Sequence, residues 1–458
     1  MLKHLLRTSR PCLLSLTLVL SACANFTAVD KPLTQWTPAL HQSIGDQISG
    51  ERSPELLVFL AFSGGGTRAA AFAYGVLHEL ADIQVMTENG PRPLLQEVDV
   101  ISSVSGGSFT AAYYGLYGDK IFEDFEERFL RKDVEGELLE EVLNPVNWVR
   151  LLSASYGRSD LAAVFYDKIL FNNATFSDLR RSGAPVIVIN STDLATGMRF
   201  SFTPWIFNLI CADFDSYPVS RAVAASSAVP VLLSPITIKS FAGTCGYQPP
   251  VWLEDALKEK GITSSRKMEA RVLLEYLDKK KRPWIHLVDG GISDNLGLRV
   301  FYNTVDFVGD PHTAFAELRH HNVKKILIIS VNANATPASE WTLERDAPGL
   351  SQVIGAISSD QIGRYSNDTM QIVGASFELW AKQISTPDRP VTMDFVEVSF
   401  QAVQDKEKRD YLNNIGTNFD LEDEQVDSLI SAAREVLQES PQLKNFIDFS
   451  RGNKEQRK

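Results

Sequence analysis

The sequence predicts an α/β fold with a mainly parallel central sheet flanked by helices, and three observations predict it. Apolar runs of strand length alternate with helical stretches through most of the 458 residues. Two of these runs, Leu56–Phe62 and Val98–Val104, lead through glycine-rich turns into helices of small residues. A third run, beginning at Trp284, ends in Asp289-Gly290-Gly291 and supplies another strand end with a sharp exit. A hydrophobic content of 44% is enough for a large core, and no repeat of solenoid length is visible.

The first strand end reads Ser63-Gly64-Gly65-Gly66-Thr67-Arg68. Without Cβ atoms, Gly64, Gly65 and Gly66 leave their backbone N–H groups open to an approaching anion, the requirement of an oxyanion hole. Arg68, near the start of the following helix, is placed to fix this loop or to add positive potential. A phosphate-binding loop is the competing reading. It lacks both a following Gly-Lys-Ser/Thr and a ribose-binding acid, and it would leave the second motif unexplained.

The second strand end is Ser103-Val104-Ser105-Gly106-Gly107. A serine nucleophile needs a turn so tight that only small neighbours fit, and Ser103, Gly106 and Gly107 meet that need around Ser105. The helix expected over 107–116 then aims its positive N-terminus at the serine. The third strand end supplies a base, Asp289, at the C-terminal sheet edge where open α/β folds place their sites, with Gly290 and Gly291 turning the chain away. An isolated Asp-Gly is more often a turn former. Its company here favours the chemical role.

In this order and spacing the three motifs resemble the patatin-like phospholipase family. Two further stretches fit the same pattern, Val188-Ile-Asn190-Ser-Thr-Asp193-Leu-Ala-Thr-Gly197 and Ser220-Arg-Ala-Val-Ala-Ala-Ser226-Ser227-Ala-Val-Pro230. Ser103 stands where the family's elbow usually begins with glycine. The resemblance implies a Ser105–Asp289 dyad, an oxyanion hole at Gly64 to Gly66 and a lipid ester as substrate; no cofactor is expected, and no metal, since the cysteines are scattered and no His-Glu-x-x-His or calcium-loop pattern occurs. A Ser–Asp–His triad is the rival mechanism, with His312, His320 and His321 following Asp289 in chain order. His286 lies an odd number of residues from Asp289 and points to the other face. An ordinary aspartate near pKa 3.9 is a weaker base than histidine near 6.5, so a dyad requires burial or hydrogen bonding to compensate.

The N-terminus carries Lys3, Arg7 and Arg10, an apolar run over 12–20, and then Leu20-Ser21-Ala22-Cys23. This reads as a bacterial lipoprotein signal over 1–22 with Cys23 as the lipid attachment residue. The competing readings are a plain signal peptide cleaved near Ala24 and a transmembrane helix, for which the run is too short. Ala24 after the cysteine leans toward the outer membrane, facing the periplasm. Cys211 and Cys245 then remain, to form a disulfide in an oxidising compartment or to stay as free buried thiols. The formal net charge of −12 argues against nucleic acid as a partner and against electrostatic attraction to anionic lipid.

The expected organisation is a tether over 23–52, a catalytic core over 53–305, a C-terminal α/β elaboration of the same domain over 306–450 and a disordered tail over 451–458. Strands are expected over 324–331 and 391–400, helical structure over Leu350–Ile384, and an amphipathic helix over 422–438. Residues 138–156 carry apolar positions suited to a lid, an acyl groove or a packed helix. The run Lys279 to Arg282 reads as a solvated surface.

Overall fold

The structure is a computed structural model that describes residues 30–37, 52–153, 155–230, 232–258, 264–317, 322–336 and 345–456. Ten strands are described in chain order: β1 Leu56–Phe62, β2 Gln84–Thr87, β3 Gly90–Pro93, β4 Val98–Val104, β5 Val186–Asp193, β6 Arg199–Phe202, β7 Ile236–Lys239, β8 Trp284–Val288, β9 Lys325–Asn332 and β10 Thr392–Ser399. β2 and β3 form a separate hairpin; the other eight make one sheet in the order β10-β9-β1-β4-β5-β8-β7, with β6 on β5.

Five neighbours, β10 through β5, are parallel. Every residue of β1, β4, β5 and β9 is buried, as expected of strands covered by helices on both faces. β8 pairs antiparallel to β5 through Thr192↔Val288 and Asp193↔Leu287. It therefore enters from beyond the C-terminal edge and runs back toward it. Asp289 reaches the expected edge, but from the opposite direction to the strand that carries Ser105.

The C-terminal third is built into this sheet. β9 and β10 extend it beyond β1, and the helix Asp423–Glu439 packs on the helix Gly66–Asp82. Gly75 permits that packing, since a Cβ there would lie 2.7 Å from the Ile430 carbonyl oxygen. Helical structure over Leu350–Ile384 is one helix of 35 residues.

Three expectations are corrected. The residues expected as a tail from 451 continue the helix Pro441–Gln456; Leu443 and Phe446 bury its apolar side, which favours propagation into the charged end. Arg282 is not a solvated residue of a basic run but an inward one, ion-paired with the buried Asp193, which also accepts the Tyr276 hydroxyl at 3.0 Å. Within the expected tether, residues 30–37 form a strap on the core: Leu33 N–H donates to the Cys211 carbonyl and Trp36 N–H to that of Cys245, both at 2.8 Å. The expected signal and Cys23 lie outside the described residues.

The strap rests on a disulfide. Cys211 and Cys245 are bonded, with Cα atoms 5.6 Å apart across a sequence separation of 34. Closing a loop of that length stabilises a fold by roughly 3–4 kcal/mol in the chain-entropy picture. Cys245→Ser should therefore lower the thermal midpoint by several degrees, and alkylation of the native denatured chain should add no mass at these cysteines until a reductant is present. Uptake without reductant would show free thiols.

Candidate active site

Ser105 sits between β4 and the helix Gly106–Tyr117 at φ 48° and ψ −121°, a backbone conformation that costs a non-glycine residue on the order of 1–3 kcal/mol. Hydrogen bonds hold the turn in place. Ser105 N–H donates to Ser226 Oγ at 2.8 Å, Ser226 Oγ donates to the Asn190 carbonyl at 2.6 Å, and Asn190 Nδ2 donates to the Ser103 carbonyl at 3.0 Å. Ser226 and Asn190 were legible in the sequence only as parts of matching stretches; their supporting roles arise where β4, β5 and the helix Val219–Ser226 meet. The next turn also needs glycine for space, because a Cβ on Gly106 would lie 1.9 Å from the Gly66 carbonyl oxygen.

Ser105 Oγ donates to Asp289 Oδ2 at 2.8 Å. Both residues are buried, at 4% and 9% relative exposure. Asp289 Oδ1 accepts the Gly291 N–H at 2.8 Å, so the β8 turn orients the carboxylate. A Cβ on Gly290 would lie 2.4 Å from the Asn190 carbonyl oxygen, which lets β8 end against β5. Burial raises the Asp289 pKa from 3.8 to about 6, against the opposing Gly291 and Ser105 hydrogen bonds. That is close to the range of an ordinary histidine.

Of the described histidines, neither His286 nor His312 joins this pair. His286 Nδ1 is bonded to Thr237 Oγ1 at 2.9 Å, and His312 is exposed on the helix Pro311–Glu317. His320 and His321 lie outside the described residues. Among the described residues, Asp289 side-chain oxygens are bonded to Ser105 and Gly291.

The glycine loop differs from expectation at one position. The Gly64 N–H donates to the Asn295 carbonyl at 3.0 Å and is thereby committed. Gly64 is required for space instead: a Cβ there would lie 2.7 Å from Asn295 Oδ1 and 3.2 Å from Ser105 Cβ. Gly65 and Gly66, at φ 139° and 61°, adopt conformations that a side chain would resist, and among the described residues their N–H groups have no acceptor. Arg68 lies beneath the loop, not in the site. It is buried, donates to the carbonyls of Ala333 and Ile415 at 3.0 and 2.6 Å, and burial lowers its pKa to about 10. Thr67 N–H adds a third tie to the C-terminal third, donating to the Asn418 carbonyl at 2.9 Å.

A strained serine bonded to a buried carboxylate, beside open backbone amides at a helix N-terminus, is an arrangement able to form and stabilise a tetrahedral acyl intermediate. The family model described as Patatin-like phospholipase matches residues 60–302, more than half of the chain and a span that includes the glycine loop, Ser105 and Asp289. The chain belongs to the patatin-like phospholipase family. No curated protein sequence matches it. Among solved structures, human GIVD cytosolic phospholipase A2 is similar at 13% identity and a TM-score of 0.45, over 93% of this chain and 68% of that one. The same human protein in complex with methyl gamma-linolenyl fluorophosphonate is similar at 14% identity and a TM-score of 0.39, over 87% of this chain and 59% of that one.

The raised Asp289 pKa also has a consequence for stability. Because the folded value of about 6 lies above the unfolded one, the protonated acid is favoured by folding. Stability falls as pH rises from about 4 to about 6, and above that window the ionised form costs on the order of 3 kcal/mol. Asp289→Asn in this patatin-like protein should therefore raise the thermal midpoint at pH 8 and leave it nearly unchanged at pH 4. A thermal scan at both pH values checks this; an equal shift at both would point to packing.

Proposed function

We propose that this chain is a serine acyl hydrolase that cleaves fatty-acyl esters of phospholipids or lysophospholipids through a Ser105–Asp289 dyad. The observation that carries the reading is the 2.8 Å hydrogen bond from Ser105 Oγ to a buried aspartate with a pKa of about 6. In this reading Ser105 Oγ attacks the ester carbonyl and its proton passes to Asp289. The oxyanion is held by the N–H groups of Gly65 and Gly66, where each well-placed donor contributes roughly 3–4 kcal/mol. Collapse expels the alcohol, which takes the proton from Asp289. Water then attacks the acyl-enzyme with Asp289 again as base, and the fatty acid leaves.

Family membership supports a lipid as substrate, and so does the surface around the site. Of residues 138–156, those up to 151 fall on two helices, Val134–Leu143 and Pro145–Leu151, joined at Asn144. These expose Leu139, Leu143, Val146 and Trp148, and Leu152 after them is 81% exposed. At one end of the pair Val134 N–H donates to the Phe419 carbonyl, next to the Asn418 that binds Thr67. Beyond the other end Ser159 N–H donates to Ser234 Oγ, in the segment whose Ala228 carbonyl accepts the Asp289 N–H. The apolar pair thus stands between segments that hold the glycine loop and the aspartate, a position suited to meeting an aggregated lipid substrate.

The lipoprotein reading of the N-terminus belongs to the same proposal: a signal over 1–22, a lipid on Cys23, and a location in the bacterial envelope at the outer membrane facing the periplasm. The Cys211–Cys245 disulfide fits an oxidising compartment. Among the described residues no helix is long and apolar enough to cross a membrane. Attachment in this reading comes from the lipid on Cys23.

Fatty-acid release from mixed phospholipid and lysophospholipid vesicles tests the activity. Ser105→Ala and Asp289→Ala should each reduce it at least a thousandfold while leaving the chain folded. Release unchanged in either variant would sink the dyad, and labelling of Ser105 by a fluorophosphonate without lipid turnover would redirect the search to another acyl substrate. With Asp289 as base, kcat/KM should fall tenfold per pH unit below about pH 6. Leu143→Ser combined with Leu152→Ser should lower turnover of vesicles several-fold and spare a soluble short-chain ester; equal loss on both would remove the interfacial role.

A further inference from the structure

An apolar cavity of about 500 Å3 lies beside the β5–β6 hairpin, within the range of small-ligand sites, roughly 300–1,000 Å3. Among the residues that line it are none of Ser105, Asp289 or the glycine loop. Trp36 of the strap, Trp205, Tyr247, Trp252, Leu273 and Phe307 contribute its walls. Trp252 stacks on Phe307 with ring centroids 4.8 Å apart, and Trp36 meets Tyr247 edge-on at 5.3 Å, so the aromatic side is pre-formed. Arg199, Ser201, Glu269 and Asn303 add a polar set.

Arg199 is the unusual member. Its Nη1 donates to Ser201 Oγ at 2.5 Å and reaches Asn190 Oδ1 at 3.5 Å. Its Nε is buried with no acceptor among the described residues. The buried carboxyls of Glu269 and Asp294 feel its charge, but among the described residues neither is ion-paired with it. Glu269 is instead occupied by Asn303 Nδ2 at 2.6 Å, and its burial favours the neutral acid. Arg199 is half-buried, and the Nε–Nη2 edge of a guanidinium is the one that grips a carboxylate side-on through two parallel N–H···O bonds.

We propose that this cavity is a second, non-catalytic site that binds a long-chain fatty acid, its carboxylate on the Nε–Nη2 edge of Arg199 and its chain along the aromatic wall. The site connects to the nucleophile through one residue. Asn190, which Arg199 reaches, donates to Ser102 Oγ and the Ser103 carbonyl, and its own carbonyl accepts the Ser226 hydroxyl that holds Ser105 N–H. Occupancy at Arg199 thereby bears on the strained turn. Binding itself does not depend on the proposed hydrolysis, so it is tested without turnover.

The fluorescent fatty acid cis-parinaric acid is titrated into the full chain and displaced by oleate or by oleyl alcohol. Oleate should displace it at least tenfold better than the alcohol, and Arg199→Gln should abolish that preference. Thr304→Trp, which fills the cavity from the helix Arg299–Val308, should weaken parinarate at least tenfold. A diazirine fatty acid should label peptides of Ser265–Tyr276 or Arg299–Val308 in the unaltered chain, an arm that holds even if Arg199→Gln fails to fold. Absence of binding, equal affinity for acid and alcohol, undiminished binding in Thr304→Trp, or label confined to the glycine loop and the helix after Ser105 would each overturn the proposal.

Discussion

The contact on which the rest of the site depends is between two backbone turns. The Gly66 carbonyl lies so close to Gly106 that any side chain there would collide with it. This brings the open amides of the glycine loop against the residue that follows Ser105, which itself holds a positive-φ conformation. Such strain persists only where neighbours over-determine it. Here Ser226 ties the Ser105 amide to β5, and Asn190 ties β5 back to β4.

Burial of Asp289 sets stability against chemistry. The carboxylate that could deprotonate a serine at neutral pH is also one whose ionisation the fold opposes, because among the described residues Gly291 N–H and the Ser105 hydroxyl alone compensate its lost hydration. A cationic partner would lower the pKa and weaken the base. None lies against it among the described residues. Arg68 is spent on the carbonyls under the glycine loop and Arg282 on Asp193.

The C-terminal third is part of the site's support although it contributes neither Ser105 nor Asp289. Ala333 after β9, Ile415 and Asn418 supply the three carbonyls that hold Arg68 and Thr67. Ser63 closes the same junction, its N–H donating to the Val331 carbonyl and its hydroxyl accepting the Ala333 N–H. A glycine loop is intrinsically soft. Its shape comes from these long-range partners.

Much of this was legible along the chain, because the demands were local. A turn too tight for side chains must be written in glycine and serine, and a strand buried on both faces must be written as an unbroken apolar run, so β1, β4, β9 and the glycine turns could be read from composition alone. The competence of Gly64 as a donor could not, since it is decided by an Asn295 carbonyl more than two hundred residues away. The antiparallel course of β8, the inward turn of Arg282 and the strap at 30–37 escaped for the same reason. The sequence by itself determined which residue types stand at each strand end, and so the class of chemistry. The tertiary structure decided which amides remain free, how far burial lifts the Asp289 pKa and which loops hold the turn, because hydrogen-bond partners and desolvation depend on segments that meet only when the sheet has formed.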